Sequence, residues 1–226
     1  MSAQTSDSTT TSSAPKTTQT LFGKVKPKIN KLGLYVAPEY QYFNAANTYS
    51  SARGISGMFL INERLALGAS GYHVQNFTPK ALNNDALRMQ YSYGGGKIEY
   101  TIAPHRLVHF SIPVLIGAGM ARVDSLGSFG RFNDWNDGGR RGRGNNGNQN
   151  PFFLVQPGVR VEANLFRFAK LYVGADYRLV AGSSSVSYPS GTTTANLSNS
   201  QLSGLSFSAG LKLGLFDYTL KKKERS

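Results

Sequence analysis

The chain has 226 residues, 40% of them hydrophobic and 12% aromatic, with 25 glycines, a composition that excludes a disordered protein outside its ends and leans towards β structure. No stretch approaches the roughly 18 consecutive apolar residues of a membrane-spanning helix, and the absence of cysteine excludes disulfides, zinc–thiolate centres, a cysteine nucleophile and a lipid-bearing cysteine. The formal net charge of +13 is clustered: Lys24, Lys26, Lys28 and Lys31 near the start, Arg131, Arg140, Arg141 and Arg143 in one segment, and Lys221, Lys222, Lys223 and Arg225 at the end. Such clusters attract polyanions without choosing among them.

Met1-Ser2-Ala3-Gln4 lacks the apolar core of a signal peptide, and Ser2-Ala3-Gln4 suits the remnant of a small-residue cleavage site, so the sequence is read as a mature form. Residues 1–31 are expected to be a flexible Ser/Thr-rich and then basic segment, 32–216 a β-domain, and 217–226 a basic tail.

Eight segments then follow in which alternate residues are apolar, the period of a strand with two unlike faces. The first, Leu32 to Phe43, sets Leu32, Leu34, Val36, Pro38, Tyr40 and Tyr42 against Glu39 and Gln41. The second, Ile55 to Ile61, aligns Ile55, Phe59 and Ile61, with Met58 and Leu60 blurring its other face. In the third, Leu65 to Val74, the phase of Leu65, Leu67 and Ala69 differs from that of Tyr72 and Val74, which predicts a bulge near Gly71. The fourth, Leu87 to Ile102, predicts a second bulge at Gly94-Gly95-Gly96, between Leu87, Met89, Tyr91 and Tyr93 in one phase and Ile98, Tyr100 and Ile102 in the other. The last four alternate cleanly: Val108 to Met120, Phe153 to Leu165, Leu171 to Leu179 and Leu205 to Leu215.

Connections alternate in length. Short turns are expected at Asn62-Glu63-Arg64, at Ala103-Pro104-His105-Arg106 and around Asn164 to Ala169, and long polar loops at 44–54, 75–86, 124–152 and 182–204. Short turns on one rim and long loops on the other suit a membrane barrel. The polar face carries Glu39, Lys97, Glu99, Arg160, Glu162, Asp176, Arg178 and Lys212 beside Gly158, Gly174, Gly210 and Gly214. Glycines among charges suit a cramped interior, and four acids against four bases predict a closed ion-pair network, not a pore. Tyr40, Tyr42, Tyr91, Tyr100, Phe153 and Tyr177, near strand ends of the apolar face, suit interfacial girdles. A water-soluble barrel of lipocalin type, its apolar face lining a cavity, is the opposite orientation of the same alternation.

On these strands the chain resembles the OmpA/OmpX-type small outer-membrane barrels of the porin-like β-barrel family. The last strand, Ser208 to Phe216, resembles the assembly signal of that family: a polar Ser208, then Gly210, then Leu213 and Leu215 and a closing aromatic, Phe216. The resemblance implies an eight-stranded antiparallel up-and-down transmembrane barrel in a bacterial outer membrane, with both ends periplasmic. It also implies outer-membrane lipid, lipopolysaccharide and the barrel-assembly machinery as partners, with envelope proteins reached through loops or ends. The tail from Asp217 to Ser226 departs from members that stop at the aromatic.

Catalytic signals are sparse, and a non-enzymatic structural or interaction role is expected. Val114 to Arg122 runs a strand into Gly117-x-Gly119 but has Arg122 where a dinucleotide fold needs a third glycine, so no cofactor is expected. His73, His105 and His109 are the three histidines, no spacing suggests a metal, and His109 is expected to join the inner polar network. A lipid-modifying enzyme centred on His73 is the alternative, although no serine motif accompanies it. The segment around Trp135 with Arg131, Arg140, Arg141 and Arg143 resembles Arg-Gly nucleic-acid-binding tails. On an outer rim it would meet lipopolysaccharide phosphates or an acidic protein surface, so nucleic acid is not expected.

Overall fold

A computed structural model describes residues 29–74, 78, 80, 87–125, 149–182, 186–187, 194–195 and 198–219. In chain order the elements are β1 (Lys31–Ala45), β2 (Thr48–Ile61), β3 (Leu65–Val74), β4 (Leu87–Ile102), β5 (Val108–Ser125), β6 (Gln149–Phe166), β7 (Ala169–Ala181), the two-residue β8 (Val186–Ser187) and β9 (Thr194–Ala195), the single-turn α1 (Asn199–Leu202), and β10 (Gly204–Thr219). Eight of the strands close into one antiparallel barrel in which neighbours in sequence pair and β1 meets β10, while β8 and β9 pair apart. Closure leaves no unpaired sheet edge, and a ring of eight strands has an interior just wide enough for side chains to fill.

Alternation decides which residues fill it. Leu34, Leu171, Val173 and Leu215 stand on the outside, at 46–65% exposure, whereas Glu39, Asp176, Arg178 and Lys212 on the same strands are 1–4% exposed. This is the reverse of a water-soluble barrel, and it removes the lipocalin-type orientation.

One rim carries both ends of the barrel and the short turns. Asn62 and Glu63 there take positive φ values, 51° and 60°, and the Asn62 Oδ1 accepts from the backbone N–H of Asn30 at 2.9 Å. Glu63 binds the Lys31 ammonium at 2.5 Å and lies 3.1 Å from His105 Nδ1. The hydrogen bond to Glu63, and then its charge, raise the Lys31 pKa above its ordinary value. On the opposite rim α1 folds back over the mouth: Leu202 is buried, and the Ala46 N–H donates to the Gln201 carbonyl at 2.8 Å.

Several expectations need correction. The expected 44–54 loop is a two-residue turn, Ala46-Asn47, and β1 and β2 continue pairing up to Ala45↔Thr48. Both turn residues have positive φ, 49° and 58°, the geometry whose twist matches antiparallel strands. Neither expected bulge exists: β3 and β4 pair without a register shift from Leu65↔Tyr100 to His73↔Ser92. Tyr72, Val74, Met89, Tyr91 and Tyr93 face inward in the same phase as Ser70, Lys97 and Glu99. The apparent change of phase is a change in what fills the interior. Tyr91, expected in an outer girdle, is therefore an inner residue.

A real irregularity lies in β10, where Leu34↔Leu215 gives way to Leu32↔Tyr218. Phe216 faces inward in the phase of Lys212 and Gly214, the extra residue returns Tyr218 to the outside, and the strand runs to Thr219, three residues beyond its expected end.

The Ala46 turn is testable. An L-residue with a Cβ in the left-handed region costs roughly 1–2 kcal/mol, so Ala46→Gly is expected to raise the urea midpoint of the detergent-solubilised barrel and Ala46→Val to lower it. The opposite order would contradict the turn geometry.

Candidate functional site

The interior is layered along the barrel axis. Near the turn rim Tyr35, Ala37, Met58, Leu60, Ala66, Tyr172 and Phe216 form an apolar cluster. Near the loop rim lies a second one, in which Phe43, Tyr72, Met89, Tyr91, Tyr93, Leu115, Phe152, Leu154, Val180 and Leu202 take part. Between them sits an ionic layer with four carboxylates, Glu39, Glu99, Glu162 and Asp176, all buried. The interior thus alternates between apolar and ionic layers, with its carboxylates confined to the ionic one.

Glu39, from β1, is the hub. Arg160 Nη2 donates to its Oε2 at 2.9 Å, the Tyr172 hydroxyl at 2.7 Å and Lys97 Nζ at 3.4 Å, while Gln41 and the Tyr72 hydroxyl reach Oε1 at 2.7 and 3.2 Å. The same guanidinium lies 3.6 Å from Glu99 and 3.9 Å from Asp176, and its plane covers the Tyr172 ring at 4.4 Å. Lys212 bridges Glu99 and Glu162, and Glu162 is also bound by the Ser111 hydroxyl and stands 3.3 Å from His109 Nε2. Asp176 accepts from Ser208 at 2.8 Å. Burying such charges costs several kcal/mol per ion unless each is paired and hydrogen-bonded, which explains the number of donors around Glu39.

Glycines make the room. A Cβ on Gly210 would stand 2.4 Å from the Tyr172 hydroxyl, and one on Gly158 would stand 2.1 Å from Asp176 Oδ1.

Seven of the eight charges singled out in the sequence are brought together in this layer. Arg178 is not. It lies higher, in the aromatic cluster, where its guanidinium faces the rings of Phe43, Tyr91 and Tyr93 at 4.5, 5.4 and 5.5 Å and its Nε donates to the Leu202 carbonyl at 2.9 Å. A guanidinium is weakly hydrated and stacks on aromatic faces, so it tolerates a place with no carboxylate beside it among the described residues. The four-to-four balance read from the sequence thus becomes four carboxylates against Lys97, Arg160 and Lys212, with His109 beside Glu162.

Other placements follow the register. Ser208 and Gly210 face inward, Leu213 and Leu215 outward, and Phe216 inward against Tyr35 at 5.7 Å between ring centroids. Arg131, Trp135, Arg140, Arg141 and Arg143 lie outside the described residues. Lys170 escaped the sequence reading although it shares the phase of Tyr172 and Asp176; it is buried with its ammonium 4.5 Å above the Phe216 ring. Among the described residues no group of three His, Cys, Asp or Glu side chains could hold a metal ion.

No protein-family model and no curated protein matches the chain. Among solved structures it is similar to Neisserial surface protein A, at 13% identity and a TM-score of 0.48, over 80% of this chain and 96% of that one. It is also similar to Ail, the attachment invasion locus protein of Yersinia pestis, at 8% identity and a TM-score of 0.44, over 83% of this chain and 100% of that one.

Removing Arg160 strands Glu39, Glu99 and Asp176 in the interior. Arg160→Met is expected to destabilise the barrel by about 3–5 kcal/mol, and Arg160→Met with Glu39→Gln to recover part of that loss, as read from urea unfolding of each variant. Equal stability of Arg160→Met and the wild type would show that the layer is not an energetic unit.

Proposed function

We propose that the protein is a bacterial outer-membrane β-barrel with a filled lumen, serving a structural or interaction role through the loops of its long-loop rim. One observation carries the reading: an apolar outer wall around a charged interior. Exposed Leu34, Phe59, Leu67, Ile98, Ile112, Val159, Val173 and Leu215 stand on every side of the ring. Each such side chain gains roughly 1.5–3 kcal/mol on leaving water, and soluble monomers rarely expose contiguous apolar patches beyond a few hundred Å². Hydrocarbon is the surrounding that suits this wall, and a closed barrel suits hydrocarbon because its backbone groups are paired within the ring.

Tyr40, Tyr42, Tyr49, Tyr100, Phe166, Phe168, Tyr177 and Tyr218 add exposed aromatic rings, as interfacial girdles require. The rim that carries the turns and both ends is assigned to the periplasm, and the long-loop rim to the outside. There the basic segment with Arg131, Trp135, Arg140, Arg141 and Arg143 would meet lipopolysaccharide phosphates or an acidic partner. The β10 wall residues Leu213 and Leu215 belong to the strand proposed as the signal for the barrel-assembly machinery. The two apolar clusters and the ionic layer close the lumen to solutes of any size beyond small ions.

The chain lacks cysteine, so single cysteines can report its orientation. On intact cells a membrane-impermeant maleimide is expected to label Asn47→Cys and not Asn62→Cys, which reacts after permeabilisation. The folded protein should need detergent for extraction and change gel mobility on boiling. A water-soluble preparation with unchanged mobility would refute the membrane reading.

A further inference from the structure

His73 does not stand in the lumen. It projects from the outer wall near the loop rim, on β3, directly opposite Ser92 of β4. Its Nδ1 lies 2.9 Å from the Ser92 hydroxyl, and its Nε2 lies 3.2 Å from the amide nitrogen Nε2 of Gln90, two residues along β4 on the same face. A hydroxyl on one ring nitrogen and an orienting group on the other is the constellation of nucleophilic acyl transfer. An amide fills the orienting place in Cys-His-Asn sites. With the Gln90 amide turned so that its oxygen accepts from Nε2–H, Nδ1 is free to take the serine proton.

A second, independent feature lies beside the trio. Towards the middle of the wall the outward positions of β3 and β4 are Gly71 opposite Gly94 and Ala69 opposite Gly96, flanked by Gly57 on β2 and Ala118 on β5. A Cβ added at Gly57, Gly71 or Gly96 would meet nothing within 4 Å. The larger exposed side chains Ile55 and Phe59 stand on one side, Ile116 and Met120 on the other, and Leu67 and Ile98 close the far end. The result is an apolar furrow that starts at Ser92 and His73 and runs six residues down the wall. At roughly 3.3 Å per residue and a strand tilt of roughly 40° its depth is about 15 Å, half the thickness of a bilayer hydrocarbon core.

We propose that Ser92, His73 and Gln90 form a serine ester-hydrolysis site whose substrates are the acyl esters of membrane lipids, the acyl chain lying in the furrow. The Ser92 oxygen attacks the ester carbonyl carbon as its proton passes to His73 Nδ1. The carbon–oxygen bond to the leaving alcohol then breaks, and that alcohol takes the proton from His73. Water, deprotonated by the same nitrogen, attacks the acyl-serine, releasing the fatty acid and restoring the Ser92 hydroxyl. The site rests on the membrane reading, because its substrate reaches it from within the bilayer, and it adds an activity to a barrel whose sequence reads as non-catalytic.

The test uses the full chain folded into phosphatidylethanolamine–phosphatidylglycerol vesicles, with heat-modifiable mobility checked in each preparation, so that failed insertion is told apart from failed chemistry. Fatty-acid release is measured, together with covalent labelling by a fluorophosphonate mapped by mass spectrometry. Wild type should release fatty acid and be labelled on Ser92. Ser92→Ala should lose both, and His73→Ala should slow release by on the order of 10²–10⁴-fold. Gly96→Leu, which fills the furrow, should slow release from long-chain lipids at least about ten-fold. A folded, inserted wild type that releases no more than Ser92→Ala and takes no label overturns the proposal. So does release that survives both substitutions.

Discussion

The buried carboxylate of Glu39 is the constraint on which the interior depends. It projects from β1 and is met by Lys97 from β4 and Arg160 from β6, each three strands away around the ring in opposite directions. Such a group cannot be solvated by the wall or by the apolar clusters above and below it, so the barrel must close for the charge to be tolerated. The converse also holds: Arg160, once inside, needs Glu39, Glu99 and Asp176 within reach. The hydrogen-bonded sheet and the ionic layer thus impose the same geometry, one from the backbone and the other from the side chains.

The layering has a physical reason. Charges at either mouth would be hydrated in part and would hold their partners loosely, whereas a layer sealed by Tyr35, Met58 and Phe216 below and by Tyr72, Tyr93 and Phe152 above keeps water out and its attractions strong. Tyrosines join the two environments. Tyr72 and Tyr172 pack their rings among apolar neighbours and turn their hydroxyls to Glu39, and Tyr93 does the same through Gln41 at 2.8 Å. Arg178, inside the upper cluster, shows that this half admits a cation when rings and a carbonyl surround it.

Much of this was legible in the amino-acid pattern. The eight strands, the outward phase of β5, β6, β7 and β10, and the inward charges follow from a period of two, because the outer face of those strands is apolar almost without a break. Where the inner face changes from ionic to aromatic, as between Lys97 and Tyr93 or Ser70 and Tyr72, apolar residues occupy both faces, and periodicity alone reads a bulge into an unbroken strand. The Ala46-Asn47 turn lacks the Asn-Gly or Asp-Gly pair that announces such hairpins. The meeting of His73 with Ser92 and Gln90 depends on the register of two strands whose residues are 17 to 19 apart in sequence, and no local motif encodes it.

The seam of the barrel pairs Lys31 with Thr219. The segments that continue from the two ends of the wall therefore start side by side, one bringing Lys24, Lys26 and Lys28 and the other Lys221, Lys222, Lys223 and Arg225. Strand ends that are nearly two hundred residues apart along the polypeptide are thereby neighbours at one point of the rim, beside the ion pair of Lys31 with Glu63.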